Sequence, residues 1–241
     1  TLFPYTTLFR SGSIFVAIKG MKSNGIDYIK EAISKGAVKI IVPENSIIEL
    51  DTLNLINQSN VKLLYVSNCR RALAELSSHA LGNPSKKLKI IGITGTKGKT
   101  STAYLVEHIL KTAGYKTALL STVKNRILDV EFSTNLTTCL PDYLNVFFDI
   151  CNQCDVEFVV LEVAAQAITL DRIYGIKFYS AVFTNFSQEH GEFYENMQDY
   201  FDAKSALLGL VDTNGVISIN ADDIKVSKLK HNFKFSLIDS S

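Results

Sequence analysis

The stretch that most limits what this chain can fold into is Ile90-Ile91-Gly92-Ile93-Thr94-Gly95-Thr96-Lys97-Gly98-Lys99-Thr100. Its apolar, β-branched start reads as a buried strand, its glycines bend the chain, and the residues from about Thr100 to Ala113 read as a helix. A strand that passes through a glycine turn into a helix curls backbone N–H groups around one point, and the helix N-terminus adds partial positive charge there. That is a place for phosphate. The strict pattern G-x-x-x-x-G-K-[ST] is not met, because Ile93 stands five residues before Gly98. Gly95, Thr96, Lys97, Gly98, Lys99, Thr100 and Ser101 are the candidate loop residues, with Lys99 reaching the outer phosphates and the Thr100 hydroxyl on magnesium.

On either side of this loop the chain alternates short apolar runs with helical patterns. Ahead of it lie IFVAI, a glycine-containing loop from Lys19 to Gly25, a helix carrying Tyr28, Ile29, Ala32 and Ile33 on one face, then KIIV, KLLYV and a helix from about Arg71 to Leu81. Gly82-Asn83-Pro84-Ser85-Lys86-Lys87 breaks the alternation and marks a domain boundary. Beyond it come LKIIGIT, TALLST, a helix after Pro141, EFVVLEV, AVFTN, a helix to about Leu208, and GVISIN, with a small hairpin expected around Arg126 to Ser133. Apolar strands joined by helical crossovers predict a parallel sheet covered on both faces. Residues 1–11 fit neither pattern and read as a non-native scar.

Composition narrows the function classes. With 25 basic and 24 acidic residues in 241, no overall charge recruits nucleic acid or an anionic membrane, so an anionic ligand needs a local site. No run approaches the ~18 apolar residues of a membrane span and no secretory signal opens the chain, so a cytoplasmic location without membrane insertion is expected. Four cysteines, Cys69, Cys139, Cys151 and Cys154, are too scattered for a secreted disulfide scaffold. Cys151 and Cys154 form a C-x-x-C, readable as a redox pair or half a zinc site, but no second such pair accompanies it.

The shortened loop TGTKGKTS resembles that of the Mur ligases and their folylpolyglutamate synthase relatives, and the resemblance extends from Gly12 to the end of the chain. GSIFVAIKGMKSNGIDYIKEAISKGAVKIIVPE is similar to the nucleotide-sugar-binding domain of the branch that adds the third residue of the peptidoglycan stem peptide, with Asn24-Gly25-Ile26 where Asp-Gly-His is common. The resemblance implies an α/β chain with a UDP-sugar-binding domain at 12–83 and a phosphate-loop, mostly parallel-sheet ATP-binding domain at 84–241, both incomplete and inactive alone. Asn135, Thr137 and Thr138 resemble an N-x-T-T segment that approaches the muramoyl substrate. Glu162, at the end of EFVVLEV, resembles the family's magnesium glutamate; Ala164-Ala165-Gln166 follows where Ser-Ser-His is usual. In Thr184-Asn185-Phe186-Ser187-Gln188-Glu189-His190, His190 is implied to bind a second magnesium, and Glu189 replaces an aspartate. Tyr200-Phe201-Asp202-Ala203-Lys204 resembles the stretch whose lysine is carbamylated, which turns a cation into a two-oxygen ligand for magnesium and needs a neutral amine first.

From these parts the resemblance implies a monomeric ATP-dependent ligase using Mg2+. UDP-N-acetylmuramoyl-L-alanyl-D-glutamate is the acceptor, meso-diaminopimelate or L-lysine is added, and Lys99, Glu162, His190 and Lys204 serve as catalytic residues. Two alternatives stand beside it: a ligase of the same superfamily with another acceptor, such as a folylpolyglutamate synthase, and a non-catalytic nucleotide-binding module.

Overall fold

A computed structural model describes residues 11–20, 23–188 and 193–231. All but one residue of the expected scar, together with Glu189 and His190, lie outside the described residues. Contacts divide the chain into two compact units, the first ending at Leu73 and the second starting at Ala74.

The first unit is built from β1 (Ile14–Val16), α1 (Ile29–Ser34), β2 (Lys39–Pro43), α2 (Leu50–Gln58) and β3 (Lys62–Val66), and the division from the second unit falls inside α3 (Cys69–Ala80). The strands form a parallel sheet in the order β1-β2-β3. Ala17, Ile29, Ile40, Val42, Ile48 and Ile56 make its core. Sequence reasoning left 50–58 without an element. The helix there fully buries only Thr52 and Ile56, with Leu53 partly buried against the core, and its N-cap Glu49 makes no side-chain cap bond, so no cap announces it.

The second unit contains β4 (Lys89–Thr94), α4 (Lys99–Thr112), β5 (Thr117–Leu120), the hairpin strands β6 (Asn125–Ile127) and β7 (Val130–Phe132), α5 (Pro141–Gln153), β8 (Phe158–Glu162), α6 (Ala165–Thr169), β9 (Phe178–Phe183), α7 (Met197–Ser205) and β10 (Val211–Ile219). Its sheet runs β10-β9-β4-β8-β5-β6-β7, parallel from β10 to β5 and antiparallel in the last three strands. Successive residues of a strand point to opposite faces, and every residue of β8 is buried, so the sheet is covered on both sides there.

Two boundaries depart from the sequence expectation. The last helix ends at Ser205 and gives way to a 3-10 turn at Leu208–Leu210. The final strand begins at Val211 rather than at Gly215, and its pairing with β9 shifts register between Val211 and Val216. An irregular strand of this kind carries no clean alternation to read.

From β4 the chain crosses to β5 on one side, while β8 is followed by β9 on the other side of β4. Open parallel sheets place their ligand crevice at the carboxyl ends of strands where connections diverge in this way. The glycine loop leaves β4 at that point.

Candidate active site

Thr94 closes β4 with its side chain buried, and its hydroxyl donates to the Val163 carbonyl at 2.9 Å, tying the end of β4 to the residue after β8. The next residue, Gly95, has φ +143, and a Cβ there would stand 2.0 Å from Thr184 Oγ1. Gly98, at φ +80, is the N-cap of α4. Both positions use backbone geometry that residues with a side chain rarely adopt. Lys99 and Thr100 open α4, and Ser101 follows in its first turn, where N–H groups lack intrahelical acceptors.

The two lysines singled out in the sequence meet at one atom. Lys99 Nζ donates to the Gly95 carbonyl at 2.9 Å and to the Thr96 carbonyl at 3.0 Å, and Lys204 Nζ donates to the same Gly95 carbonyl at 2.8 Å. Lys204 comes from α7, whose N-terminus is fixed by the Asn196 side chain accepting from Gln198 N and Asp199 N, both at 2.9 Å. The lysine is only 2% exposed and lies 4.5 Å from the centroid of the Tyr200 ring. With Thr137, Ala164, Ala165, Gln166, Tyr194 and Tyr200, the two lysines line a cavity of about 150 Å³. Burial pushes the Tyr194 phenol up, against the opposing effect of its hydrogen bond with Thr169, so it remains a proton-bearing group at neutral pH.

Glu162 is fully buried at the end of β8. Its Oε2 accepts from Thr100 Oγ1 at 3.1 Å, and its Oε1 accepts from Thr122 N at 3.1 Å. Thr122 Oγ1 lies 3.1 Å from Glu162 Oε2 and 3.1 Å from Thr137 Oγ1, which links the carboxylate to the expected substrate segment. Thr138 is buried, donates to the Glu162 carbonyl at 2.9 Å and accepts from Ala164 N at 3.0 Å, while its own carbonyl accepts from Arg172 Nη1 at 2.9 Å. Its hydroxyl is thereby committed to backbone. Asn135 is exposed.

Sequence reasoning did not single out Thr122, Tyr194 or Tyr200 in the site, nor Thr184 and Asn185 as partners of the glycine loop. Tyr200, Thr184 and Asn185 stand in the sequence as neighbours of the residues to which the motifs give a role. Thr122 follows β5, and nothing local shows that it will face a residue at the end of a strand 40 positions later.

The oxygens gathered here, Thr100 Oγ1 and the Glu162 carboxylate with Thr122 Oγ1 beside them, are hard ligands of the kind magnesium takes. Among the described residues no three His, Cys, Asp or Glu cluster into a metal cage. The C-x-x-C pair has a different character: Cys151 is completely buried and burial raises its thiol far above the ordinary range, which disfavours a thiolate.

A parallel α/β sheet with a glycine loop at its divergent centre, a helix N-terminus and a buried strand-end carboxylate define a phosphate-loop nucleotide-binding domain. Residues 93–240 match the family model of the Mur ligase middle domain and residues 7–80 that of the Mur ligase family catalytic domain, so this chain belongs to the Mur ligase family. It is 37% identical over 212 residues to the UDP-N-acetylmuramoyl-L-alanyl-D-glutamate–2,6-diaminopimelate ligase of Clostridium perfringens, covering 88% of this chain and 41% of that protein. A solved structure of a ligase of that name superposes with TM-score 0.75 at 23% identity, covering 92% of this chain and 43% of the other. The MurF ligase of Thermotoga maritima in complex with ADP superposes with TM-score 0.60 at 23% identity, covering 95% and 47%. The chain thus spans about two fifths of the length of the curated relative.

Proposed function

We propose that this chain is part of an ATP-dependent ligase that joins an amino acid to UDP-N-acetylmuramoyl-L-alanyl-D-glutamate through an acyl phosphate, in the synthesis of peptidoglycan. The observation that carries the reading is the convergence of Lys99, Lys204, Thr100 and Glu162 around one loop and one small cavity. The clostridial relative's name specifies 2,6-diaminopimelate, which favours that amino acid over lysine. The N-terminal unit serves as the UDP-sugar-binding domain in this reading, and a cytoplasmic monomer fits an enzyme whose substrates are free nucleotides and amino acids. Among the described residues no helix is long and apolar enough to cross a membrane.

Each residue has a separate task. Lys99 leaves the Gly95 and Thr96 carbonyls to meet the γ-phosphoryl group of ATP, and the first-turn amides of α4 meet its oxygens. Thr100 and Glu162 would hold magnesium, which when bound would neutralise phosphate charge. The acceptor carboxylate attacks the γ-phosphorus, ADP leaves, and the incoming amine then attacks the acyl carbon, losing a proton and expelling phosphate. Thr137 positions the acceptor beside Glu162, with Asn135 at the entry to that segment, while Thr138 ties the segment to the Glu162 carbonyl and the Ala164 amide; His190 would hold a second magnesium.

Lys204 has an electrostatic reason to change its charge. Two ammonium groups on a single carbonyl oxygen repel each other, and carbamylation of Lys204 replaces that repulsion with an attraction to Lys99. The cavity beside the amine has room for the added carboxyl group. A second reading, the same chemistry on another acceptor, is favoured by one feature: Ala164, Ala165 and Gln166 line that cavity where the family usually has two hydroxyls and an imidazole.

The test is ADP release by the whole protein with the UDP-muramoyl dipeptide, magnesium and either diaminopimelate or lysine. Turnover requiring all components and falling about 100-fold or more in Lys99→Ala supports the reading. Turnover only with a different acceptor selects the second reading, and ATP binding without any turnover favours a non-catalytic module.

A further inference from the structure

The pairing of β4 with β9 does not stop where the strands stop. Thr184 N donates to the Thr94 carbonyl at 3.0 Å and Thr96 N to the Asn185 carbonyl at 2.9 Å, so the glycine loop is zipped to the segment after β9. Side chains then take over from the ladder. Asn185 Oδ1 accepts from Lys97 N at 2.9 Å while Asn185 Nδ2 donates to the Lys97 carbonyl at 3.0 Å, and Thr184 Oγ1 donates to that same carbonyl at 2.7 Å. One loop residue is therefore gripped at both of its backbone polar groups, which fixes the two peptide units that flank its Cα. On the far side, Ser187 N donates to Thr96 Oγ1 at 3.0 Å. The missing side chain of Gly95 makes room for the Thr184 hydroxyl, since any Cβ there would overlap it.

We propose that Thr184 and Asn185 are positioning residues for nucleotide phosphate, acting through the backbone of Lys97; this rests on the nucleotide reading above. The Lys97 carbonyl is a negative dipole end that would repel a phosphate, and the pair turns it toward its own donors. Their grip also commits the amides of Thr96 and Lys97 to Asn185, which leaves the meeting of an anion to the first turn of α4 and to Lys99. A loop shorter than G-x-x-x-x-G-K-[ST] has fewer internal turns to fix its shape, and here the neighbouring strand end supplies that rigidity from outside.

The experiment compares Asn185→Ala, Thr184→Val and Thr184→Ser with the parent, each in the whole protein, in two readouts: hydrogen exchange at the Lys97 amide without ligand, and the dissociation constant for Mg·ADP by calorimetry. The proposal expects faster Lys97 exchange in Asn185→Ala, and Mg·ADP binding about tenfold weaker in Asn185→Ala and Thr184→Val, with Thr184→Ser close to the parent. Parent-like hydrogen exchange at the amides of β4 and β9 separates this from a general loss of structure in the unit. Parent-like Mg·ADP affinity in both Asn185→Ala and Thr184→Val overturns the positioning role while leaving the ligase reading intact. A whole protein that fails to bind Mg·ADP overturns both together.

Discussion

Replacing Gly95 by alanine should damage the second unit through one identifiable collision. The new Cβ has to adopt a backbone with φ +143 and would sit 2.0 Å from Thr184 Oγ1, with the Asn185 backbone N and O at 3.2 Å. The unusual backbone costs about 1–3 kcal/mol. The threonine hydroxyl has to rotate away, which gives up its 2.7 Å bond to the Lys97 carbonyl and adds about 1 kcal/mol. The sum is about 2–4 kcal/mol, a large part of the stability of an ordinary domain. Because the chain has two units, one unfolding curve is a poor probe. Native-state hydrogen exchange at the amides of β4 and β9 reports the opening of this unit by itself. The collision is isolated by a double-mutant cycle: in a Thr184→Ala background the hydroxyl is already gone, so Gly95→Ala should cost about 1 kcal/mol less there. Costs that add within about 0.5 kcal/mol would refute the contact between these two positions.

Three further outcomes follow from other parts of the unit. Glu107 is buried on α4 and receives the Arg126 guanidinium, whose side chain is 19% exposed, so Glu107→Ala should cost about 3 kcal/mol by exchange at the same amides; a loss below about 0.5 kcal/mol would remove this pair from the account. At Asp223, burial acts to raise the carboxyl, but hydrogen bonds from the amides of Val226, Phe186 and Lys225 and the charge of Lys225 outweigh it and hold the group below its usual range. A carboxyl lowered on folding stabilises above its unfolded value near about pH 4 and loses that contribution as pH falls through the folded value beneath it, so the stability gap to Asp223→Asn should shrink on acidification; a gap that is constant with pH would contradict the shift. Native alkylation should modify the half-exposed Cys154 and spare the buried Cys69, Cys139 and Cys151, with all four reacting in urea; mass spectrometry showing label on Cys151 in the folded chain would refute its burial.

Much of this architecture is legible along the chain because its signals are local. The run through Ile90 to Thr100 carries strand, turn and helix start in consecutive residues, and EFVVLEV shows a strand buried on both faces by its unbroken apolar character. The second helix of the first unit is harder to see because its N-cap Glu49 makes no side-chain bond and one of its two fully buried residues is a threonine. What sequence spacing cannot give is the convergence of distant positions. Thr122 meets Glu162, Lys204 meets Gly95 across 109 positions, and Asn185 meets Lys97 across 88. Each of these is set by strand order in the sheet, and the order β9-β4-β8-β5 is a property of crossovers, not of any segment. Thr138 shows the converse: its motif implied a substrate contact, but the fold spends its hydroxyl on the Glu162 carbonyl and the Ala164 amide.

The central claim is that the acceptor's carboxylate is activated by phosphorylation, and isotope transfer tests it most directly. The whole protein is incubated with ATP, magnesium, diaminopimelate and UDP-N-acetylmuramoyl-L-alanyl-D-glutamate carrying 18O in its reacting carboxylate, and the released phosphate is examined by mass spectrometry. The account predicts one 18O atom in each phosphate, because the oxygen that attacks phosphorus leaves with it when the amine arrives. Phosphate free of 18O, formed at the same rate with or without the acceptor, would contradict the acyl-phosphate route and leave a nucleotide hydrolase in its place.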